Sequence, residues 1–308
     1  VEGHALDGDF RLTLPKFPLH HVFAGAGYGF SDERWKYRFG GRVSLFDSPV
    51  LRISGSRYFE RDFIDSGNDP AGELFVTLFN LIAKYDYRDY FYRDGWRVAL
   101  NADPFLLFPL RVQYSDDRYT DAAKNTDWSL FRRDWRFRNN PVINEGRIRS
   151  VTASISFDNR NLIDNAGRIM RFGARNHIPA LLLGRHDADV AGQRRDIFTA
   201  GARLDGRFDF GFPGELSYRL MGDYTDGALP SQLLFNLQGS MNWIAWPNRF
   251  RTLAFREFGG DRRASATVTY SFRDWLFRAS RLPLLKDSGW MLDLFVSGGW
   301  TQMSADTR

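Results

Sequence analysis

The stretch "AGARLDGRFDF", residues 200–210, decides how this chain is to be understood. Ala200, Ala202, Leu204, Gly206, Phe208 and Phe210 form one alternating set; Gly201, Arg203, Asp205, Arg207 and Asp209 form the other. Successive side chains of a β-strand point to opposite faces. The stretch is therefore expected to be a strand with one oily face and one charged face.

The pattern recurs along the chain. In 50–59, Leu51, Ile53, Gly55 and Phe59 oppose Arg52, Ser54 and Ser56. In 96–102, Trp96, Val98, Leu100 and Ala102 oppose Arg97 and Asn101. In 151–157, Val151, Ala153, Ile155 and Phe157 oppose Thr152, Ser154 and Ser156. In 215–224, Leu216, Tyr218, Leu220, Gly222 and Tyr224 oppose Glu215, Ser217, Arg219 and Asp223. In 265–272, Ala266, Val268, Tyr270 and Phe272 oppose Ser265, Thr267, Thr269 and Ser271. Weaker cases run through 20–30, 36–46, 107–114 and 291–299. Short hairpin signals stand at "FSDERW", 30–35, and "GFPGE", 211–215. Longer polar stretches, expected to be loops, lie near 116–146, 158–196 and 225–231.

Composition narrows the class. Aromatic residues make up 16% of the 308 residues, too many for a disordered chain. Charged residues reach 26% and no apolar run approaches the ~18 residues of a membrane-crossing helix. A membrane β-barrel escapes that test because only every second residue of its strands is apolar. With no cysteine, neither a disulfide framework nor a thiolate metal site exists. The net charge of +5 suits contact with anionic surfaces. The chain opens on Val1 and stops on the polar "MSADTR", so it is expected to be one barrel domain, 1–308, cut from a longer protein.

A soluble sandwich also alternates, with its oily face inside. Two features favour a barrel in lipid. The apolar face carries aromatics near strand ends, as in an interfacial girdle, among them Trp96, Phe208, Phe210, Tyr218, Tyr224, Tyr270 and Phe272. The polar face carries arginines and carboxylates together on neighbouring strands, suited to a wet network across a lumen. Arg203, Asp205, Arg207 and Arg219 are expected to form that network. One segment changes period: after Asp69 and Pro70, an N-cap and first helical residue, Leu74, Phe75, Leu78, Phe79 and Ile82 recur at helical spacing. A short amphipathic loop helix is expected near 71–84, covering a rim or plugging part of the lumen.

Chemical motifs are scarce. His4, His20, His21, His177 and His186 show no metal-ligand spacing, and adjacent His20 and His21 face opposite ways on a strand. "GAGYGF", 25–30, has no helix after it, so its glycines are expected to serve strand packing and not a dinucleotide. A Ser/His/Asp hydrolase has no fixed spacing and nothing nominates one. "LFRRDWRFRNN", 130–140, is expected to be a solvated loop near anionic headgroups, not a nucleic-acid site. No catalytic residue, cofactor or metal is expected.

The most specific stretch is "FRTLAFREFGGDRRASATVTYSF", 250–272. It resembles the late part of the barrel in the bacterial surface-antigen superfamily, the BamA- and TamA-like outer-membrane barrels and those attached to patatin-like domains. Gly259, Gly260, Asp261 and Arg262 match the family's Gly-Gly-Asp-Arg-like element, and "TVTYSF", 267–272, the strand that it opens. Arg256 falls where the arginine of the family's Arg-Gly-aromatic motif would lie, with Glu257 in place of the glycine. "VEG", 1–3, and "YDYRDYFYRDGW", 85–96, are similar to a branch with a carboxypeptidase-regulatory-like domain before the barrel.

The resemblance implies an all-β fold, an antiparallel transmembrane β-barrel of about 12–16 strands. A final strand ending in an aromatic residue would be missing here, and with it part of the first, which would leave an unclosed edge. It implies a bacterial outer-membrane location, and assistance to the insertion or translocation of proteins or lipids. Partners would be outer-membrane lipids and lipopolysaccharide, client outer-membrane proteins and periplasmic factors. Arg256, Gly259, Gly260, Asp261 and Arg262 would belong to a loop folded into the lumen. The rival expectations are a passive porin-like channel and an anchor for a missing soluble domain.

Overall fold

A strand with a polar and an apolar edge of side chains must find neighbours for its backbone groups. In the computed structural model these neighbours form one antiparallel sheet. The structure describes residues 5–14, 17–47, 50–124, 129–131, 134–158, 161–165, 168–172, 177–190, 192–240, 246, 248–280 and 288–304. The chain runs β1 (Ala5–Leu14), β2 (Phe17–Gly29), β3 (Arg34–Asp47), β4 (Val50–Phe63), helix α1 (Glu73–Ala83), β5 (Tyr90–Asp103), β6 (Leu110–Asp121) and β7 (Gly146–Ser156). It continues through a separate hairpin, β8 (Asn161–Asn165) and β9 (Arg168–Phe172), to β10 (His177–Val190), β11 (Gln193–Asp209) and β12 (Glu215–Asp226). Then come the two-residue pair β13 (Phe235–Asn236) and β14 (Gly259–Gly260), β15 (Arg262–Ser271), the one-turn helix α2 (Trp275–Ala279) and β16 (Asp293–Gln302).

Twelve strands make the main sheet, in the order β1-β2-β3-β4-β5-β6-β7-β10-β11-β12-β15-β16. The fold is all-β, an antiparallel barrel wall with a short loop helix. Among the described residues no ladder joins β1 to β16. No described helix is long and apolar enough to cross a membrane.

The two faces separate as the alternation demands. On the outer face Leu12, Val22, Phe39, Ile53, Val98, Val112, Leu183, Leu220 and Val296 are exposed. Aromatics crowd both margins of this apolar band. At one margin stand Phe30, Trp35, Trp96, Tyr224 and Trp300, with Trp96 packed on Tyr114 at 5.1 Å. At the other, Phe208, Phe210, Tyr270, Phe272 and Trp275 form a chain of ring contacts between 4.7 and 6.4 Å. From Phe198 to Phe208 on β11 the outward set is apolar throughout. Ten residues at ~3.4 Å each, tilted by ~40°, give a band about 26 Å tall.

Beyond that band β6, β7, β10 and β11 continue, and their outward side chains become charged. Arg147 and Arg149 reach Asp116 at 2.6 and 3.6 Å; Arg149 and Arg194 reach Asp187 at 3.5 and 2.8 Å. Arg185 and Asp196 add a pair at 2.8 Å.

Several expectations need correction. The polar stretch 158–196 is not one loop: it holds β8, β9, all of β10 and the start of β11. Leu181, Leu182 and Leu183 break the alternation, and charged residues follow them, so the strand is hidden in the sequence. β6 likewise runs to Asp121, into the stretch taken as loop from 116. Helix α1 begins at Glu73, with Gly72 before it, so Asp69 and Pro70 do not start it. Asp69 instead accepts the Ala71 N–H at 3.1 Å and holds Arg88. His4 lies outside the described residues, as does the His177 side chain. His186 is buried between Ser150 (2.7 Å) and Thr199 (3.1 Å), with no carboxylate against it. No described group of side chains has the make-up of a metal site.

Candidate functional site

Consecutive antiparallel strands place the connections 64–89, 122–145 and 227–261 at one end of the sheet, and these three long segments pack on one another. Asp89 is their meeting point. It pairs with Arg256 at 2.7 Å and with Arg138, one from each of the other two segments. Arg256 also donates to the Tyr87 carbonyl, and the Tyr87 ring stacks on Phe255 at 4.2 Å. Arg256 lies in the left-handed region (φ 56°), an unfavourable place for a non-glycine residue that its two acceptors hold in place. Tyr87 donates its hydroxyl to Asp69 at 2.5 Å, and Arg88 bridges Asp69 and Glu73, both at 2.7 Å.

Burial shapes the titration of this cluster. It raises the Asp65 carboxyl, partly offset by the Asn68 amide (2.6 Å) and by Arg263, Arg249 and Arg256. It lowers the Arg249 guanidinium to about 10, and Arg219 adds to that effect. It lowers Arg256 as well, against the pull of Asp89.

The segment 227–261 does not stay at the rim. Its ends are joined by the ladder of β13 with β14, and between them the described residues of 237–240 and 248–255 form a finger on the inner face of β12, β15 and β16. Ser240 N–H donates to Leu253 O at 2.9 Å and Phe250 N–H to Gln238 O at 3.0 Å. Leu237 and Phe250 sit over Gly299 of β16, where a Cβ would come within 2.9 and 2.7 Å of them. Gly260 is required because a Cβ there would stand 2.2 Å from the Gln302 carbonyl. Arg251 covers the Phe295 ring at 3.9 Å.

Inward charges hold the finger. Asp205 is flanked by Arg203 and Arg219, both at 2.5 Å, and Arg219 donates to Gln238 of the finger at 3.0 Å. Arg263 pairs with Asp223 at 2.6 Å and donates to the Asn236 carbonyl. Arg207 stands apart, 3.5 Å from Glu215 near the opposite rim. Beside the finger, Ile148, Ala188, Val190 and Ile197 point inward and meet Ile143, Leu229, Leu233 and Phe235 from the long segments, an apolar collar inside the wall.

The expected loop residues are therefore divided. Arg256 belongs to the Asp89 cluster. Gly259 and Gly260 form β14, and buried Asp261 accepts Ser304 N–H at 2.9 Å. Arg262 departs from the expectation of a lumen position: it faces outward, 4.9 Å from the Tyr224 ring, and its neighbour Arg263 takes the inward place. One residue of register makes that difference. Asp89, Gln238 and Arg263 were not singled out in the sequence; Arg263 has a signal there, since it shares the period of Ser265 and Thr267.

The inner face of β1–β6 differs. Reading across the ladders, Arg11 and Arg97 lie in one row with Ser56, Arg42 in the next with Ser54, and Arg52 and Arg111 in a third with Asn101. Arg52 donates to Ser44 at 3.3 Å, Arg97 to Ser56 at 3.2 Å and Arg111 to Gln113 at 2.6 Å. No Asp or Glu stands in these three rows, and among the described residues none of the five arginines has an ion pair.

No family model matches the chain, and no curated protein matches it. Solved structures do, among them CdiB from Acinetobacter baumannii, at 12% identity and a TM-score of 0.40, covering 99% of this chain and 48% of that one. The chain thus spans about half the length of that protein.

Proposed function

We propose that the chain is the wall of a bacterial outer-membrane β-barrel whose lumen is occupied at one end by its own infolded segments, and that it assists the passage or insertion of proteins or lipids there. The observation that carries the membrane part is the outer apolar band, about 26 Å tall and bounded by aromatics at both margins. Water would meet that band at a large cost in hydration, whereas lipid tails match it. The inner face carries the charge and suits an aqueous lumen.

Assistance to passage rests on the finger. It is fastened by a few polar contacts (Asp89 to Arg256, Arg219 to Gln238, Arg263 to Asn236) and has a small apolar footing. A segment held this way can be displaced by a client that offers equivalent contacts. The lock assigned to Arg256, and the lumen network of Arg203, Asp205, Arg207 and Arg219, are parts of this proposal. Lipopolysaccharide and client outer-membrane proteins are the partners it implies, with no enzymatic step. A passive channel is favoured by one observation, the uncovered arginines of β1–β6.

The test is conductance of the full-length protein in planar bilayers. Brief, rare openings in the native chain, made frequent by Arg256→Ala, are the expected result. A steady open state in the native protein would support the passive channel. Protein recovered only in the soluble fraction would overturn the membrane reading.

A further inference from the structure

We infer that the inward face of β1–β6 is an anion site for a phosphate-bearing ligand, centred on Arg42, Arg52, Arg97 and Arg111. The inference uses the barrel reading only for which face is inward; it does not depend on transport.

Five arginines gathered in three rows that hold no carboxylate make a concentrated positive field, which water and salt screen but do not cancel. Neighbouring strands lie ~4.8 Å apart and two residues along a strand span ~7 Å. By register, Arg52 and Arg111 are then about 10 Å apart at their Cα atoms, with Asn101 between them, and Arg42 and Arg97 lie one row or two above. On the other wall of the same sheet the inward arginines are neutralised by Asp205, Glu215 and Asp223. The same face carries carboxylates nearer the long segments, where Arg38 pairs with Asp9 and Arg93 with Glu60 and Asp62, but none in these three rows.

Five of the flanking side chains are polar and small, Ser44, Ser54, Ser56, Asn101 and Gln113, while His21 stands opposite Arg42 and Phe23 opposite Arg11. The five add hydroxyl and amide donors and leave room above the wall. Arg11, Arg42 and Arg111 are exposed, and Arg52 and Arg97 are half-buried, so the described part of the finger leaves these rows open. Guanidinium groups bind phosphate oxygens through paired N–H bonds, more strongly than they hold a monovalent ion. A phosphate carrying two or more negative charges satisfies several of these arginines at once. It can be a free phosphate or the headgroup of a phosphorylated lipid.

The experiment is titration calorimetry of the purified, folded protein in a neutral detergent with 150 mM chloride, using inorganic pyrophosphate in one arm and short-chain phosphatidic acid in the other. Saturable binding is expected in at least one arm, weakened tenfold or more by R52Q/R111Q and unchanged by R219Q. Binding of pyrophosphate assigns a free phosphate; binding of phosphatidic acid alone assigns a headgroup. Absence of saturable binding in both arms overturns the inference, as does equal loss in R219Q. Retention of the heat-dependent gel shift shows that a variant is folded. Should R52Q/R111Q lose it, R42Q carries the test: Arg42 is exposed, and a loss of affinity of at least threefold is expected.

Discussion

Within the height of the apolar band, the inward arginines of β11, β12 and β15, Arg203, Arg207, Arg219 and Arg263, each have a carboxylate within 3.5 Å. In the three arginine rows of β1–β6, Arg52, Arg97 and Arg111 meet hydroxyls, an amide and one aromatic ring, and only nearer the long segments do Arg38 and Arg93 find carboxylates. Among the described residues, a segment of the chain lies against the first wall, and none lies over the arginine rows of the second. Charges that must hold a loop are paired, because leaving one partner bare under cover is costly. Charges that face open water are tolerated unpaired, because solvent and salt screen them.

The comparison can be broken most severely at Asp89. Its removal in D89A leaves Arg138 and Arg256 without their shared carboxylate, and Arg256 is largely buried. A loss of about 3 kcal/mol is expected, read as a lower temperature at which the unboiled gel band collapses. An unchanged temperature would remove Asp89 from the hold on the finger.

Next comes D205A, which strands Arg203 and Arg219. Both are partly exposed, so about 1–2 kcal/mol is expected. R42Q, on the open wall, should cost within about 0.5 kcal/mol of nothing. Equal losses in the two variants would erase the distinction between the walls.

The smallest effect concerns pH. Burial raises the Asp65 carboxyl, so folding favours its neutral form. The stability that this group contributes is present in acid and is lost as pH rises through its raised value. D65N keeps an acceptor for Asn68, and asparagine tolerates the left-handed backbone there (φ 61°). The variant should be more stable than the native chain near pH 7, and the difference should vanish below about pH 4. A difference that persists in acid would assign the effect to the backbone.

Much of the wall is legible in the sequence because period two reports a face directly. Leu51, Ile53, Val98 and Leu100 lie outward, and Arg52 and Arg97 inward, as their alternation requires. β10 is less legible, since Leu182 points inward opposite Gly201 and interrupts the pattern. The assembled site is legible only in pieces. Arg256 stands out through a partial family motif, but Tyr87, whose carbonyl it meets, lies 169 residues away. Nothing local in either segment encodes that meeting. It follows from how many strands separate the two segments and how the sheet curves between them, which are properties of the whole wall. The arginines of β1–β6 were visible one strand at a time; only the register brings them into adjacent rows.

The outward ladder on β6, β7, β10 and β11 has a consequence of its own. Asp116, Arg149, Asp187 and Arg194 cannot sink among acyl chains without losing their water, at several kcal/mol per ion. The apolar band below cannot rise out of them without meeting water. The ladder and the band together draw a waterline on the molecule. In the membrane we propose for this wall, that line sets the depth at which the barrel floats, and with it the level of the finger in the lumen.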